Sequence, residues 1–206
     1  MTGYEEHLSD TRTCVVAFAS GDGSTIIPDV PNFEFGASLE KLGCSYVLMR
    51  CSNTETWYEA GIEGIGDRKE VGTYVARLGA RYRRLITTGV SWGAYGALLY
   101  GLIGCSHDTV VISPITATGS CIEPELEAKW HHRIAASHPV DLKPLFERLP
   151  HFARIRVFIS DGDGTELDSM MAQRLGITAI TLIPGHSHSG LAKHMRDTGW
   201  FERLFA

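Results

Sequence analysis

Six short apolar runs, each closed by a turn signal and separated from the next by a helical pattern, constrain this chain more than any other feature. "TCVVAFAS" (13–20) is continuous, rich in β-branched residues and closed by "GDGS", the pattern of a parallel strand covered on both faces. A helical stretch from 35 to 43 leads to the strand-like "SYVLMR" (45–50). Asp67 followed three residues later by Glu70 forms an Asp-type capping box, and Val71, Tyr74, Val75 and Leu78 fall at i, i+3, i+4 and i+7 of one amphipathic helix. "RLITTG" (84–89), the small-residue-rich helix "SWGAYGALLYGLIG" (91–104) and the strand "TVVIS" (109–113) continue the rhythm. Residues 114–150 interrupt it with scattered prolines, "KWHHR" and two short helical patterns, and are expected to form a small lid-like insertion. "RVFIS" (156–160), a helix over 165–175, "ITAITLI" (177–183) and a last helix over 189–205 resume it.

Strands alternating with helices predict an α/β fold: a doubly wound, mostly parallel sheet of about six strands with helices on both faces. Loops at the carboxyl ends of such strands build the site. At 206 residues, 44% of them hydrophobic, the chain suits one domain with a sizeable core. A net charge of −5 without a run of Lys or Arg gives no footprint for nucleic acid or an anionic membrane, so neither partner is expected. The opening "MTGYEEHLSDTRTC" carries acids where a secretory signal is basic and then apolar, and no apolar run reaches membrane-spanning length; the sequence reads as soluble and cytoplasmic. Five cysteines (Cys14, Cys44, Cys51, Cys105, Cys121) make no C-x-x-C pair, and their odd number argues against a disulfide framework.

Chemistry concentrates where "LITTG" meets the following helix. Gly89-Val90-Ser91-Trp92-Gly93 is a G-x-S-x-G elbow. Turning from strand to helix within a residue or two strains the serine backbone, so the positions two before and two after must be nearly side-chain-free. Ser91 is then presented at a helix N-terminus, where the dipole favours a developing anion. The Trp92 N–H is the first oxyanion donor, and the loop after the first strand, at Ser20 or Gly21, is the source of the second.

With this order of elements the chain resembles the α/β-hydrolase superfamily from Thr13 onward. The resemblance implies a Ser–acid–His triad in that chain order, with the acid after a late strand and the histidine after the last. Ser91 follows "LITTGV", Asp161 and Asp163 follow "RVFIS", and His186 and His188 follow "AITLI". Two features depart from the family. Residues 1–12 leave no room for its N-terminal antiparallel hairpin, and no His-Gly-Gly-Gly stretch marks the oxyanion loop.

Under this resemblance Asp163, in a turn between Gly162 and Gly164, is the expected acid and Asp161 its alternative, with Asp168 serving the next helix. The base must accept the serine proton through one nitrogen and be held through the other. His188, just ahead of a helix that Leu191 and Met195 can anchor, is the better placed; His186 is the alternative. A zinc site on these two lacks a third ligand at helical spacing. The reading requires neither metal nor cofactor, and implies a small-molecule or carrier-linked acyl substrate, without fixing the oligomeric state.

Other residues attach to it more loosely. Arg50, Trp57 and Tyr58, after the second strand, are candidate substrate contacts, and His131 and His132 beside Trp130 fall in the insertion. The expected activity is cleavage of a carboxylic ester or thioester through an acyl-enzyme, with short acyl groups preferred under so small an insertion. Acyl transfer uses the same groups, and a catalytically silent binding protein has the same fold. "DGDGT" (161–165) also resembles the D-x-D-G-T signature of magnesium-dependent phosphatases, with Asp161 as nucleophile, but only about forty residues remain for the rest of such a core.

Overall fold

The computed structural model describes residues 3–20, 35–51, 57–118, 121, 140–149, 154–162 and 165–206. Seven strands form one sheet: β1 (Tyr4–His7), β2 (Thr13–Phe18), β3 (Ser45–Met49), β4 (Arg84–Val90), β5 (Asp108–Ile112), β6 (Arg154–Ile159) and β7 (Ile180–Leu182), in the order β1-β3-β2-β4-β5-β6-β7. β1 alone runs antiparallel, paired to β3 from Tyr4↔Met49 to His7↔Tyr46. β1 is therefore an added antiparallel edge where the sequence predicted no strand. No N-terminal hairpin forms among the described residues, but four residues suffice for one strand.

Seven α-helices accompany the sheet among the described residues: α1 (Gly36–Leu42), α2 (Arg68–Arg81), α3 (Trp92–Ile103), α4 (Lys143–Arg148), α5 (Glu166–Gln173), α6 (His188–Asp197) and α7 (Trp200–Phe205). The predicted capping box opens α2, with the Asp67 carboxylate accepting from Glu70 N and the Glu70 side chain from Asp67 N. The predicted last helix is two, divided at Gly199, whose φ of 72° ends α6 and starts α7. None of the described helices is long and apolar enough to cross a membrane.

Two apolar layers cover the two faces, as alternating strand side chains require. Cys14, Val16, Phe18, Val111 and Val157 pack with α2, α3 and α5 on one face. Val15, Ala17, Ile86, Val110 and Phe158 pack with α1, α6 and α7 on the other. β3 and β5 are buried at every residue, Ser45, Asp108 and Thr109 included, and the residues that follow these in each strand are the apolar runs legible in the sequence. The insertion leaves and returns at one place. Ala117 bridges Asp141, and Thr118 N donates to Val140 O.

The strand order reverses between β2 and β4, since β2 is followed by β3 on one side and has β4 on its other. A crevice opens at the carboxyl ends of two strands whose connections part in opposite directions. Ala19 and Ser20 follow β2 there, and Ser91 follows β4.

Candidate active site

Ser91 holds a backbone conformation of φ 53°, ψ −115° between β4 and α3. The neighbours make that turn feasible. A Cβ on Gly89 would stand 2.2 Å from the carbonyl of Gly93, and one on Gly93 would stand 2.1 Å from Phe18 O. The elbow is locked to the adjacent strand, because Ser91 N donates to Ile112 O (3.0 Å) and Ile115 N to Ser91 O (3.2 Å). Strain of this kind persists only where the surroundings over-determine it.

The hydroxyl meets the imidazole of His188: Ser91 Oγ lies 2.9 Å from His188 Nε2. The other ring nitrogen, Nδ1, lies 2.7 Å from Asp168 Oδ1. An ionised carboxylate only accepts, so Nδ1 carries the proton and Nε2 is left to accept from the serine. His188 is the first residue of α6, whose Ser187 cap accepts from Gly190 N (3.2 Å). Leu191 and Met195, three and seven residues on, are fully buried and anchor the helix as the sequence predicted.

Asp168 is the residue that sequence reasoning missed. It was assigned to the helix alone; instead, fully buried, it occupies the place beside His188 expected of Asp163 or Asp161. Asp163 lies outside the described residues. Asp161 is exposed and turned elsewhere, its Oδ1 accepting from Gly185 N at 2.7 Å. A signal was present. Asp168, Met171, Ala172 and Leu175 fall at i, i+3, i+4 and i+7, so the carboxylate lies on the buried stripe of α5.

Loops after β6 and β7 are laced together, which fixes the approach of His188. Gly162 N donates to His186 O (3.1 Å), and His186 N donates to the Ser160 hydroxyl (2.9 Å), which in turn donates to Ile183 O. A Cβ on Gly162 would stand 2.3 Å from His186 O. The His186 ring is stacked on His194, centroids 3.9 Å apart, so the alternative base is turned onto α6.

The oxyanion side is built by β2 and α3. Trp92 is the first helical residue of α3, a position with no carbonyl four residues back to receive its N–H. The end of β2 presses on that helix start, through Phe18 and Ala19 against Gly93. The Ala19 N–H is committed to Met49 O (2.8 Å), and Ser20 is the next residue; Gly21 lies outside the described residues.

Of the looser candidates, Tyr58 is fully buried and its hydroxyl donates to Ala19 O (2.7 Å), so it supports the loop after β2 and has no exposed face for a substrate. Trp57 is stacked on Trp92, centroids 3.6 Å apart and planes 8° from parallel. The Arg50 main chain extends the edge pairing by donating to Gly3 O (2.9 Å). Trp130, His131 and His132 lie outside the described residues.

No protein-family model matches this sequence, and no curated protein matches it. Solved structures do resemble it. The capsule O-acetyltransferase of Neisseria meningitidis serogroup A superposes with a TM-score of 0.64 at 14% identity, over 98% of this chain and 90% of that one. A lipase-esterase related protein from Clostridium acetobutylicum gives 0.61 at 12% identity over the whole of both chains. A thermophilic esterase from Thermogutta terrifontis gives 0.55 at 11% identity, over all of this chain and 94% of that one. Identities this low speak to architecture, and the architecture is shared end to end: this chain has the α/β-hydrolase fold.

Proposed function

We propose that the protein is a serine hydrolase that cleaves a carboxylic ester or thioester through an acyl-enzyme, with Ser91 as nucleophile, His188 as base and Asp168 as the acid behind it. The observation that carries the reading is the continuous line from Ser91 Oγ through both nitrogens of one imidazole to a buried carboxylate, 2.9 and 2.7 Å. Each group has one task. Ser91 Oγ bonds to the acyl carbon as its proton passes to His188 Nε2, and Asp168 stabilises the imidazolium so formed. The carbonyl oxygen, now an oxyanion, takes the Trp92 N–H and, from the loop after β2, the Ser20 N–H. Collapse of the intermediate breaks the bond to the alcohol or thiol, which leaves with the proton from His188. Water then repeats the sequence on the acyl-enzyme, giving its proton to His188, and frees the carboxylic acid and the serine.

An alcohol in place of water turns the same steps into acyl transfer. The capsule O-acetyltransferase of the same fold is a transferase by name, and one of its structures is a complex with CoA. Product analysis with an added alcohol separates the two outcomes, because transfer yields a new ester.

A fluorophosphonate probe tests the main reading. It is expected to label the wild-type protein and not Ser91→Ala or His188→Ala, and p-nitrophenyl esters of short acyl chains are expected to turn over in parallel with the labelling. A folded wild-type protein that neither reacts with the probe nor cleaves any of the esters would show the fold to be used for binding alone.

A further inference from the structure

The chain is acidic as a whole, with a net charge of −5, but its charge is not evenly spread. The segments that lead into β2, β4, β5 and β6 place Arg12, Arg83, Arg84, His107 and Arg154 around one open cleft of about 680 Å³. It lies at the amino ends of the strands, opposite Ser91. No run of Lys or Arg announces such a cleft, because parallel strands bring their first residues side by side from distant parts of the chain. Main-chain bonds hold the segments in line: Arg84 N donates to Arg12 O, His107 N to Leu85 O and Arg154 N to His107 O, each at 3.0 Å.

The donors of the cleft outnumber what the fold uses. Asp108 is its one acidic side chain, and both carboxylate oxygens are taken, by Arg84 Nε and Arg154 Nε. Arg84 spends its remaining nitrogens on Ala206 O (2.6 Å) and Leu204 O (3.2 Å), so it serves the fold. Arg154 is exposed and commits only Nε. Arg12 and Arg83 are exposed and have no acidic partner among the described residues. His107 Nδ1 accepts from Leu85 N (3.0 Å), which places the ring proton on Nε2 and makes that nitrogen a donor. Arg156, two residues along β6 from Arg154, adds a fifth guanidinium. Burial, and after it the charges of Arg154 and Arg84, hold it below its ordinary range against the pull of Asp108.

Like charges gathered without counterions repel, and an anion relieves them. The number of charges selects the anion. A carboxylate would neutralise one of Arg12, Arg83 and Arg154, whereas two linked phosphoryl groups carry roughly three negative charges and offer paired acceptors to planar guanidinium forks. We propose that this cleft binds the pyrophosphate group of a small molecule, through Arg12, Arg83, the free end of Arg154 and the Nε2–H of His107.

Calorimetric titration of the whole protein with inorganic pyrophosphate at low ionic strength is expected to show saturable binding that weakens with added salt and raises Tm. Arg12→Gln/Arg83→Gln is expected to weaken it by at least roughly tenfold, for the loss of two charge-assisted contacts. Without ligand this variant is expected to melt no lower than the wild type, since neither side chain holds the fold and their repulsion is removed. Lys143→Gln/Arg148→Gln, on α4, makes the same change in net charge and is expected to bind as the wild type does. Equal weakening by the two double variants would reveal diffuse attraction and overturn the site, as would a wild type that shows no saturable binding. Orthophosphate or acetate binding as tightly as pyrophosphate would overturn the charge match. A nucleoside diphosphate forms a further arm: tighter binding than pyrophosphate supports the site with a nucleotide as the carrier, and equal binding supports it with a carrier that has no base.

A second measurement leaves every charge in place. With the histidine rings labelled with nitrogen-15, the Nε2 resonance of His107 is expected to shift on adding pyrophosphate while that of His188, at the other end of the strands, stays. A His107 resonance that does not move would overturn the assignment.

Discussion

In the proposed mechanism a single carboxylate decides how the histidine works. Asp168 is fully buried and its Oδ1 is 2.7 Å from His188 Nδ1, so its charge fixes the tautomer that leaves Nε2 free for the serine proton. Replacing Asp168 by Asn keeps the volume but lets the amide donate to Nδ1, which turns the proton onto Nε2. The turnover number of Asp168→Asn is expected to fall by about 10³- to 10⁴-fold with the fold retained, as checked by ester hydrolysis and circular dichroism. Asp163→Asn is expected to leave it nearly unchanged; the opposite pattern would return the role to Asp163. Ser91 was legible in the sequence because its strain forces glycines at fixed offsets. The carboxylate beside His188 was not, because a carboxylate needs no special backbone and can reach an imidazole from a turn or from a helix. Only its place on the buried stripe of α5 marked Asp168, and the glycines around Asp163 drew attention to turn chemistry instead.

Elements of the fold are legible in proportion to how much apolar surface they bury. β2 through β6 each hold a cluster of apolar residues, and α2 opens on a complete capping box. β1, "YEEH", exposes three of its four residues and pairs at the sheet edge through main-chain bonds, so side-chain pattern could not announce it. The shared boundary of β4 and α3 is the element that matters most for the site, and its tolerance is near zero. Ala at position 93 would drive a methyl group to 2.1 Å from Phe18 O, where only backbone can yield. Gly93→Ala is therefore expected to lose about 3 kcal/mol of stability, or to separate α3 from β2 and take the Trp92 N–H out of line. Urea denaturation and the probe-labelling rate measure the two losses. Gly199→Ala is the contrast, since its Cβ would meet nothing closer than the ends of flexible side chains at 3.5 Å, and its cost is confined to the positive φ.

Across the whole molecule, the site and the charge that steadies the sheet lie at opposite ends of the strands. Asp108 begins β5 and is nearly buried; its Oδ2 accepts from Arg84 Nε of β4 (2.9 Å) and its Oδ1 from Arg154 Nε of β6 (2.7 Å). Arg84 also reaches the last helix, donating to Leu204 O (3.2 Å). The alternating α/β architecture was readable from the order of the runs, but this clamp was not, because three residues from three strands meet only once the register is set. Burial opposes ionisation of Asp108, yet the hydrogen bonds from Arg154 and Arg84 outweigh it and hold the carboxyl below its ordinary range. A group with a lowered pKa in the folded state binds its proton more readily when unfolded, so it stabilises the fold above the unfolded value and loses that contribution as pH falls through the folded one. At neutral pH, Asp108→Asn is expected to cost about 2 kcal/mol, with the exposed Arg154 contributing the smaller part. The gap in melting temperature between wild type and Asp108→Asn should stay constant above roughly pH 4 and close below it. A gap that persists unchanged into stronger acid would mean the variant fails through packing and not through charge. Because the clamp is a strand's length from Ser91, the variant should still react with the fluorophosphonate probe at the wild-type rate well below its melting temperature, which separates the device that holds the sheet from the one that uses it.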